Sequence, residues 1–351
     1  MEHTTNPFRL GPAKIDVPDD VPFPSVDVET AHSLINRSLD GTPTPLRSAP
    51  EIARSSGVAE VWIKDERGRM GLGSFKALGA AYVIAHDAAE NGPGSLGNTT
   101  YVTASAGNHG LSVAAGSRIF GARSVVYIAE TVPESFADRL RSEGAEAKRE
   151  GATYEDSMAA AAKAADDNGW RLLSDSSWPG YYQRPHRLME GYLVLMSEVF
   201  DDMPEAPTHI FLQAGVGGLA GAAAALARVE WGDGPAITVV EPEAAPALIG
   251  SIKAGRSTIT DGPVSAMGRL DCKEPSLIAL KGLARDADHF VTLTEEEGQS
   301  GTRQLADHGL ATTPSGGAGV AALLAASSHR SELNLGPESR VLTILSEGPE
   351  S

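Results

Sequence analysis

Ile210-Phe211-Leu212-Gln213-Ala214-Gly215-Val216-Gly217-Gly218-Leu219-Ala220 opens as an apolar run of strand length, crosses three glycines in four residues and turns Ala-rich. The uncharged stretch continues to Ala227, the length at which a membrane-spanning helix becomes a candidate. Gly215, Gly217, Gly218 and Gly221 decide against a span, because glycine at that density destabilises a continuous helix. A strand, a tight loop and a helix remain. Successive glycines can turn their N–H groups onto one anion while the following helix adds its positive dipole end. The segment therefore reads as a phosphate cup, although a tight strand-to-helix turn without a ligand explains the glycines equally well.

The same alternation recurs on both sides. Apolar runs at Val61–Ile63, Thr100–Val102, Ser124–Ile128, His209–Leu212, Ile237–Val240 and Val341–Leu345 alternate with helical patterns at Phe75–Glu90, Asn108–Phe120, Tyr154–Asn168, Leu219–Glu230 and Gly317–Ala326. Such βαβ units predict an α/β protein of mainly parallel, doubly wound sheets. The chain has 351 residues, and cores usually split beyond roughly 250–300 residues, so two domains are expected. The division expected is a discontinuous large domain, 1–87 plus 191–351, around a small domain, 88–190.

Composition narrows the function. Hydrophobic residues at 41% and charged residues at 21% are ordinary globular values. With 29 basic and 46 acidic side chains the formal charge is −17, and clustered Lys/Arg are lacking, so no nucleic-acid partner is expected. The lone Cys272 has no thiol partner and Met1-Glu2-His3-Thr4-Thr5 lacks a signal-peptide pattern, so a reducing, cytoplasmic setting without a membrane anchor is expected. The nine histidines show no H-E-x-x-H spacing, no C-x-x-C accompanies them, and no metal is expected. A G-x-S-x-G elbow is also missing.

Two further segments could carry chemistry. Thr103-Ala104-Ser105-Ala106-Gly107-Asn108-His109-Gly110 lies between a strand and a helix, where small residues, hydroxyls and a helix N-terminus suit a carboxylate. Helix capping by Ser105 or Asn108 is the plainer alternative. Thr312 to Gly319 reads equally well as a helix-initiating turn. Lys76, between Phe75 and Ala77-Leu78 on the first turn of a helix, stands out among the lysines. Partial burial there would lower its pKa and make it an amine nucleophile. A nicotinamide-dependent oxidoreductase is the reading from another class. Gly215-x-Gly217 with Ala220 approximates a dinucleotide fingerprint, and Glu241 ends the next strand.

Taken together, Ser74-Phe75-Lys76, Gly107-Asn108-His109-Gly110 and Gly215-Val216-Gly217-Gly218-Leu219 resemble the set shared by fold-type II pyridoxal-phosphate enzymes, the tryptophan-synthase-β and threonine-dehydratase group. Within it the chain is most similar to the diaminopropionate ammonia-lyases, through Lys64-Asp65-Glu66, Ser174-Asp175-Ser176-Ser177-Trp178-Pro179-Gly180-Tyr181, Met189-Glu190-Gly191-Tyr192 and Val240-Glu241-Pro242-Glu243. The resemblance implies pyridoxal 5′-phosphate as cofactor and a homodimer. Lys76 would form the Schiff base, Phe75 would pack on the ring, Asn108 would contact the phenolic oxygen, and Gly215, Val216, Gly217, Gly218 and Leu219 would hold the phosphate. Ser346 would face the pyridine nitrogen, where a neutral hydroxyl favours elimination over transamination. Ser105, Ala106, Gly107 and His109 would take the carboxylate of an amino-acid substrate.

The implied reaction is α,β-elimination from a small L-amino acid with a polar β-substituent, such as 2,3-diaminopropionate, giving a 2-oxo acid and ammonia. Asp175 would read the β-substituent and pass a proton to the departing group, unless it merely caps the Asp-Ser-Ser turn. Serine, threonine or 3-hydroxyaspartate dehydration, and β-replacement of the cysteine-synthase type, are the alternatives. Two departures bear on substrate. Ala106 stands where the ammonia-lyases usually carry an Asp thought to serve the D-enantiomer, and Pro314-Ser315-Gly316-Gly317 replaces an acidic version.

Overall fold

The computed structural model describes residues 1–92 and 94–349. Among them eleven strands form two sheets: β1 (Glu2–Thr5), β2 (Leu46–Ser48), β3 (Glu60–Asp65), β4 (Thr100–Ala104), β5 (Arg123–Ile128), β6 (Glu146–Arg149), β7 (Arg171–Leu172), β8 (His209–Gln213), β9 (Ala236–Pro242), β10 (His289–Leu293) and β11 (Arg340–Leu345). The larger sheet runs β1-β10-β9-β8-β11-β3-β2 and the smaller β6-β5-β4-β7. All pairings are parallel except those of β1 with β10 and β2 with β3 at the two edges of the larger sheet. This is the expected α/β architecture.

Burial explains which runs were readable. β4, β8 and β10 are buried at every residue, as strands covered by helices on both faces must be. The edge strands β1, β2 and β6 carry polar, partly exposed side chains, which also blunt the sheet edges. The would-be membrane stretch is β8, a glycine turn and the helix Gly218–Trp231. Among the described residues no helix is long and apolar enough to cross a membrane.

One core cluster joins the sheets. It includes Leu78 and Tyr82 from the helix Lys76–Asn91, Tyr101 and Val113 beside the small sheet, and Leu188 to Met196 from the helix Gln183–Asp202. Residues 88 and 190, the limits expected for the small domain, fall inside these two helices.

A buried ion cluster fixes the chain ahead of Lys76. Arg69 donates to Glu66 (2.8 Å) and Glu198 (2.6 and 2.8 Å), and Lys64 pairs with Glu198 at 2.6 Å. These four side chains are at most 4% exposed. Each charge has an opposite neighbour and further hydrogen bonds, the condition under which buried ions are tolerated. The cluster pins the turn Glu66–Gly71, where Met70 sits at a φ of 52°.

Candidate active site

In a parallel sheet ligands bind beyond the carboxyl ends of the strands. Five such ends supply the site. β3 leads through Glu66–Gly71 to Ser74-Phe75-Lys76, β4 to Ser105–Asn108, β7 to Ser174-Asp175, β8 to Gly215–Leu219, and β11 to Ser346-Glu347. Phe75 donates its N–H to the Ser346 carbonyl at 3.0 Å, Ser346 donates its own to Gly316 at 3.1 Å, and Gly348 bonds Gly73 at 2.9 Å. The lysine segment is thereby stitched to the end of β11.

Lys76 Nζ is ion-paired with Asp175 Oδ2, the two side chains being 22% and 19% exposed. The pair contradicts the expectation of a lowered lysine pKa. Burial does act to lower it, but the neighbouring Asp175 carboxylate wins and raises it above the usual amine value. Asp175 is held well below the ordinary carboxylate range: burial opposes ionisation, and the Lys76 and His109 fields overcome it. The Asp175 side chain is therefore turned to the lysine. Its loop is anchored independently, since the Tyr181 hydroxyl accepts from Ser174 N–H (3.1 Å) and donates to the Leu172 carbonyl (2.9 Å). Ser177 and Ser276 hydroxyls meet at 2.7 Å.

The glycine loop is a cradle that side chains would fill. A Cβ on Gly215 would lie 2.9 Å from Cys272 Sγ, and Gly217, at a φ of 98°, would place one 2.9 Å from Ala279 Cβ. No side chain caps the helix Gly218–Trp231 that begins there, and the first N–H groups of a helix lack intrahelical partners. Phe75 and Tyr192 rings meet at 4.9 Å, and the buried Tyr192 phenol lies beside Lys76. An amine held by a carboxylate and a glycine cradle at a helix N-terminus fit an aldehyde cofactor that carries a phosphate.

Asn108 does not cap its helix; Gly107 occupies the cap without a side-chain bond, and Asn108 Nδ2 donates to Glu347 Oε2. Ser105 Oγ accepts from Gly107 N–H at 3.3 Å. His109 is buried, with Nε2 2.9 Å from the Leu173 carbonyl, and burial followed by Lys76 holds its pKa down against Asp175. Ala106 packs on the small-sheet core. Thr313 Oγ1 also donates to Glu347, and Arg269 Nε lies 3.6 Å from its other oxygen, Oε2. Arg269 lies over the Phe136 ring at 6.0 Å and beside Gly107. Asn108, Arg139, Arg269, Thr313 and Glu347 line a cleft of about 280 Å³.

Glu347, Arg269 and Tyr192 were not singled out as site residues from the sequence. Only Tyr192 carried a signal, as part of Met189–Tyr192. Glu241, the acid needed by the nicotinamide reading, is buried and accepts from Leu248 and Ile249 N–H at 2.7 Å each. It caps the helix Ala247–Ala254 and offers nothing to a ribose.

The fold and this constellation define a fold-type II α/β enzyme site for an aldehyde phosphate. The profile of the pyridoxal-phosphate dependent enzyme family matches residues 37–347, and the chain belongs to that family; its cofactor is pyridoxal 5′-phosphate. The chain is 30% identical over 335 residues to diaminopropionate ammonia-lyase of Escherichia coli, covering 87% of this chain and 84% of that protein. It is 26% identical over 268 residues to L-threonine ammonia-lyase of Thermotoga maritima, covering 76% and 63%. A structure of the E. coli diaminopropionate ammonia-lyase in complex with D-serine superposes with a TM-score of 0.87 at 27% identity, over 99% of this chain and 93% of that one. Another, with an aminoacrylate–cofactor azomethine reaction intermediate, gives 0.86 at 28%.

Proposed function

We propose that the protein is a pyridoxal-phosphate-dependent lyase that removes a β-substituent and the α-amino group from a small L-amino acid with a polar side chain, releasing a 2-oxo acid and ammonia. From 2,3-diaminopropionate the products are pyruvate and two ammonia. The observation that carries the reading is the Lys76–Asp175 pair facing the Gly215–Leu219 cradle from the ends of β3 and β7. The relatives that turn over diaminopropionate support that substrate.

When bound, pyridoxal phosphate supplies the electron sink for breaking the bonds at Cα and Cβ. Lys76 would hold the cofactor and, as a free amine, would take the Cα proton of the substrate. N–H groups from Gly215 to Leu219 would receive the phosphate, Phe75 would pack on the ring, Asn108 would donate the amide N–H not used by Glu347 to the phenolic oxygen, and Ser346 would present a neutral hydroxyl to the ring nitrogen. The backbone N–H groups from Ser105 to His109, with the Ser105 hydroxyl, would take the substrate carboxylate; the neutral His109 ring is committed to the Leu173 carbonyl. Asp175, ionised beside Lys76, would attract a β-ammonium and keep it protonated, so that it leaves as neutral ammonia with the bonding electron pair. Ala106 gives a specific reason to keep dehydration of serine, threonine or 3-hydroxyaspartate as the second reading. A cytoplasmic homodimer, with 88–190 as the small domain, completes the proposal.

The test is an amino-acid panel assayed for 2-oxo acid release by the purified holoenzyme. Fastest turnover of L-2,3-diaminopropionate is expected. Preference for serine, threonine or 3-hydroxyaspartate transfers the assignment to the dehydratases, and no 2-oxo acid from any of them overturns elimination.

A further inference from the structure

The cleft of about 280 Å³ that Asn108 and Glu347 line is also lined by Arg67, Arg139 and Arg269. Two of these cations are committed. Arg67 donates to Asp65 at 2.7 and 2.8 Å and to the Ala311 carbonyl at 2.9 Å. Arg269 lies near Glu347 Oε2 and over the Phe136 ring. Arg139 differs. It is half-buried on the helix Glu134–Ser142, and among the described residues its guanidinium has neither an ion-pair nor a hydrogen-bond partner. The acids around it on that helix are taken, Glu134 by Arg141 (2.6 Å) and Arg149 (2.7 Å), Asp138 by Arg141 (2.9 Å) and Glu143 by Arg118 (2.9 Å). A partly desolvated cation without a carboxylate costs free energy that an arriving anion recovers.

The position of Arg139 says which anion arrives. It stands one helical turn on from Phe136 and so shares the face on which Arg269 stacks. The Arg269 guanidinium atoms lie 3.5 Å from where a Cβ on Gly107 would stand, and Gly107 belongs to the loop assigned to the substrate's α-carboxylate. Gly73, in the same lining, leads directly into Ser74-Phe75-Lys76. The cleft therefore adjoins both the lysine segment and the carboxylate loop, and Arg139 is a cation that neither of them uses.

We propose that Arg139 is a specificity-determining residue that selects amino acids carrying a second carboxylate, on the β-carbon or on the β-substituent. This deepens the elimination reading and rests on it for the place of the α-carboxylate. A guanidinium suits the task, because its planar fork matches a carboxylate with two parallel hydrogen bonds and stays charged at every working pH. The preference acts at a fixed leaving group. It ranks 3-hydroxyaspartate above serine and leaves the choice between amine and hydroxyl leaving groups to Asp175.

The experiment titrates the holoenzyme and its Arg139→Gln variant with L-aspartate or L-alanine, which share the α-amino acid head and differ by a β-carboxylate, and follows the visible absorbance of the cofactor. Wild type should bind aspartate at least about tenfold more tightly than alanine, and in Arg139→Gln the two affinities should fall to within about twofold of each other. Equal binding of the two ligands by wild type would overturn the proposal, as would a variant that keeps the preference or a wild type whose spectrum neither ligand changes. Neither ligand has to lose a β-substituent to bind, so these outcomes stand apart from 2-oxo acid release, whose absence would refute elimination itself.

Discussion

Asn108 at the start of a small-sheet helix donates its side-chain N–H to Glu347, just past the last strand of the large sheet. With Lys76 and Asp175 paired between β3 and β7, two polar contacts tie the sheets together through residues assigned to cofactor and substrate. Removing either contact therefore changes chemistry and cohesion together, and tests must separate them.

Lys76→Ala should abolish the visible absorbance of the bound cofactor and all turnover. It also leaves Asp175 buried beside no cation, so its pKa should rise toward the ordinary carboxylate value and the protein should lose stability. The double variant Lys76→Ala/Asp175→Asn should recover much of that stability in urea titrations; no recovery would mean the pair contributes nothing to folding.

Asp175→Asn, with the cofactor spectrum retained, should lower kcat/KM on L-2,3-diaminopropionate by at least about 30-fold, the equivalent of ~2 kcal/mol. Near-normal turnover would reduce Asp175 to a structural partner of Lys76.

Ala106 places no titratable group at the end of β4, so proton removal is left to one face of the substrate. Turnover should be confined to L-amino acids. Comparable rates on D- and L-2,3-diaminopropionate would reveal a second base.

Arg69→Met removes the guanidinium shared by Glu66 and Glu198 and leaves excess buried negative charge. The expected loss is about 3–5 kcal/mol of unfolding free energy, measured by urea denaturation at fixed cofactor concentration.

Cys272 lies beneath Gly215, and burial, reinforced by the Asp175 charge, pushes its thiol up to about 12. The folded state thus prefers the neutral thiol. Its contribution to stability is full below the unfolded value of about 8.5 and is lost progressively as pH rises from there toward 12. Iodoacetamide labelling of the folded protein should stay slow and nearly flat from pH 7.5 to 9.5, while the urea-unfolded chain reacts faster as pH rises.

The sequence was legible where one requirement acted locally. Strands buried on both faces, such as β8 and β11, had to be apolar runs, and the loop after β8 had to be glycine-rich. It was illegible where tertiary contacts decide. β1, with Glu2-His3-Thr4-Thr5, is a strand because β10 offers it a free edge, and β7 is two residues held beside β4. Glu347 resembles any polar residue near a chain end until Asn108, Thr313 and Arg269 converge on it from distant segments. The sign of the Lys76 pKa shift was missed for the same reason, since its partner lies 99 residues away.

The order β8-β11-β3 has a temporal consequence for synthesis. The middle of the large sheet stays open until the last of its strands arrives, because β11 inserts between two strands translated long before it. Until then Phe75 lacks the carbonyl of Ser346 and Asn108 lacks the carboxylate of Glu347, so a ribosome-bound chain that has not yet released β11 has no place to seat its cofactor. Such late, long-range pairing closes slowly, which couples the seating of pyridoxal phosphate to the insertion of β11.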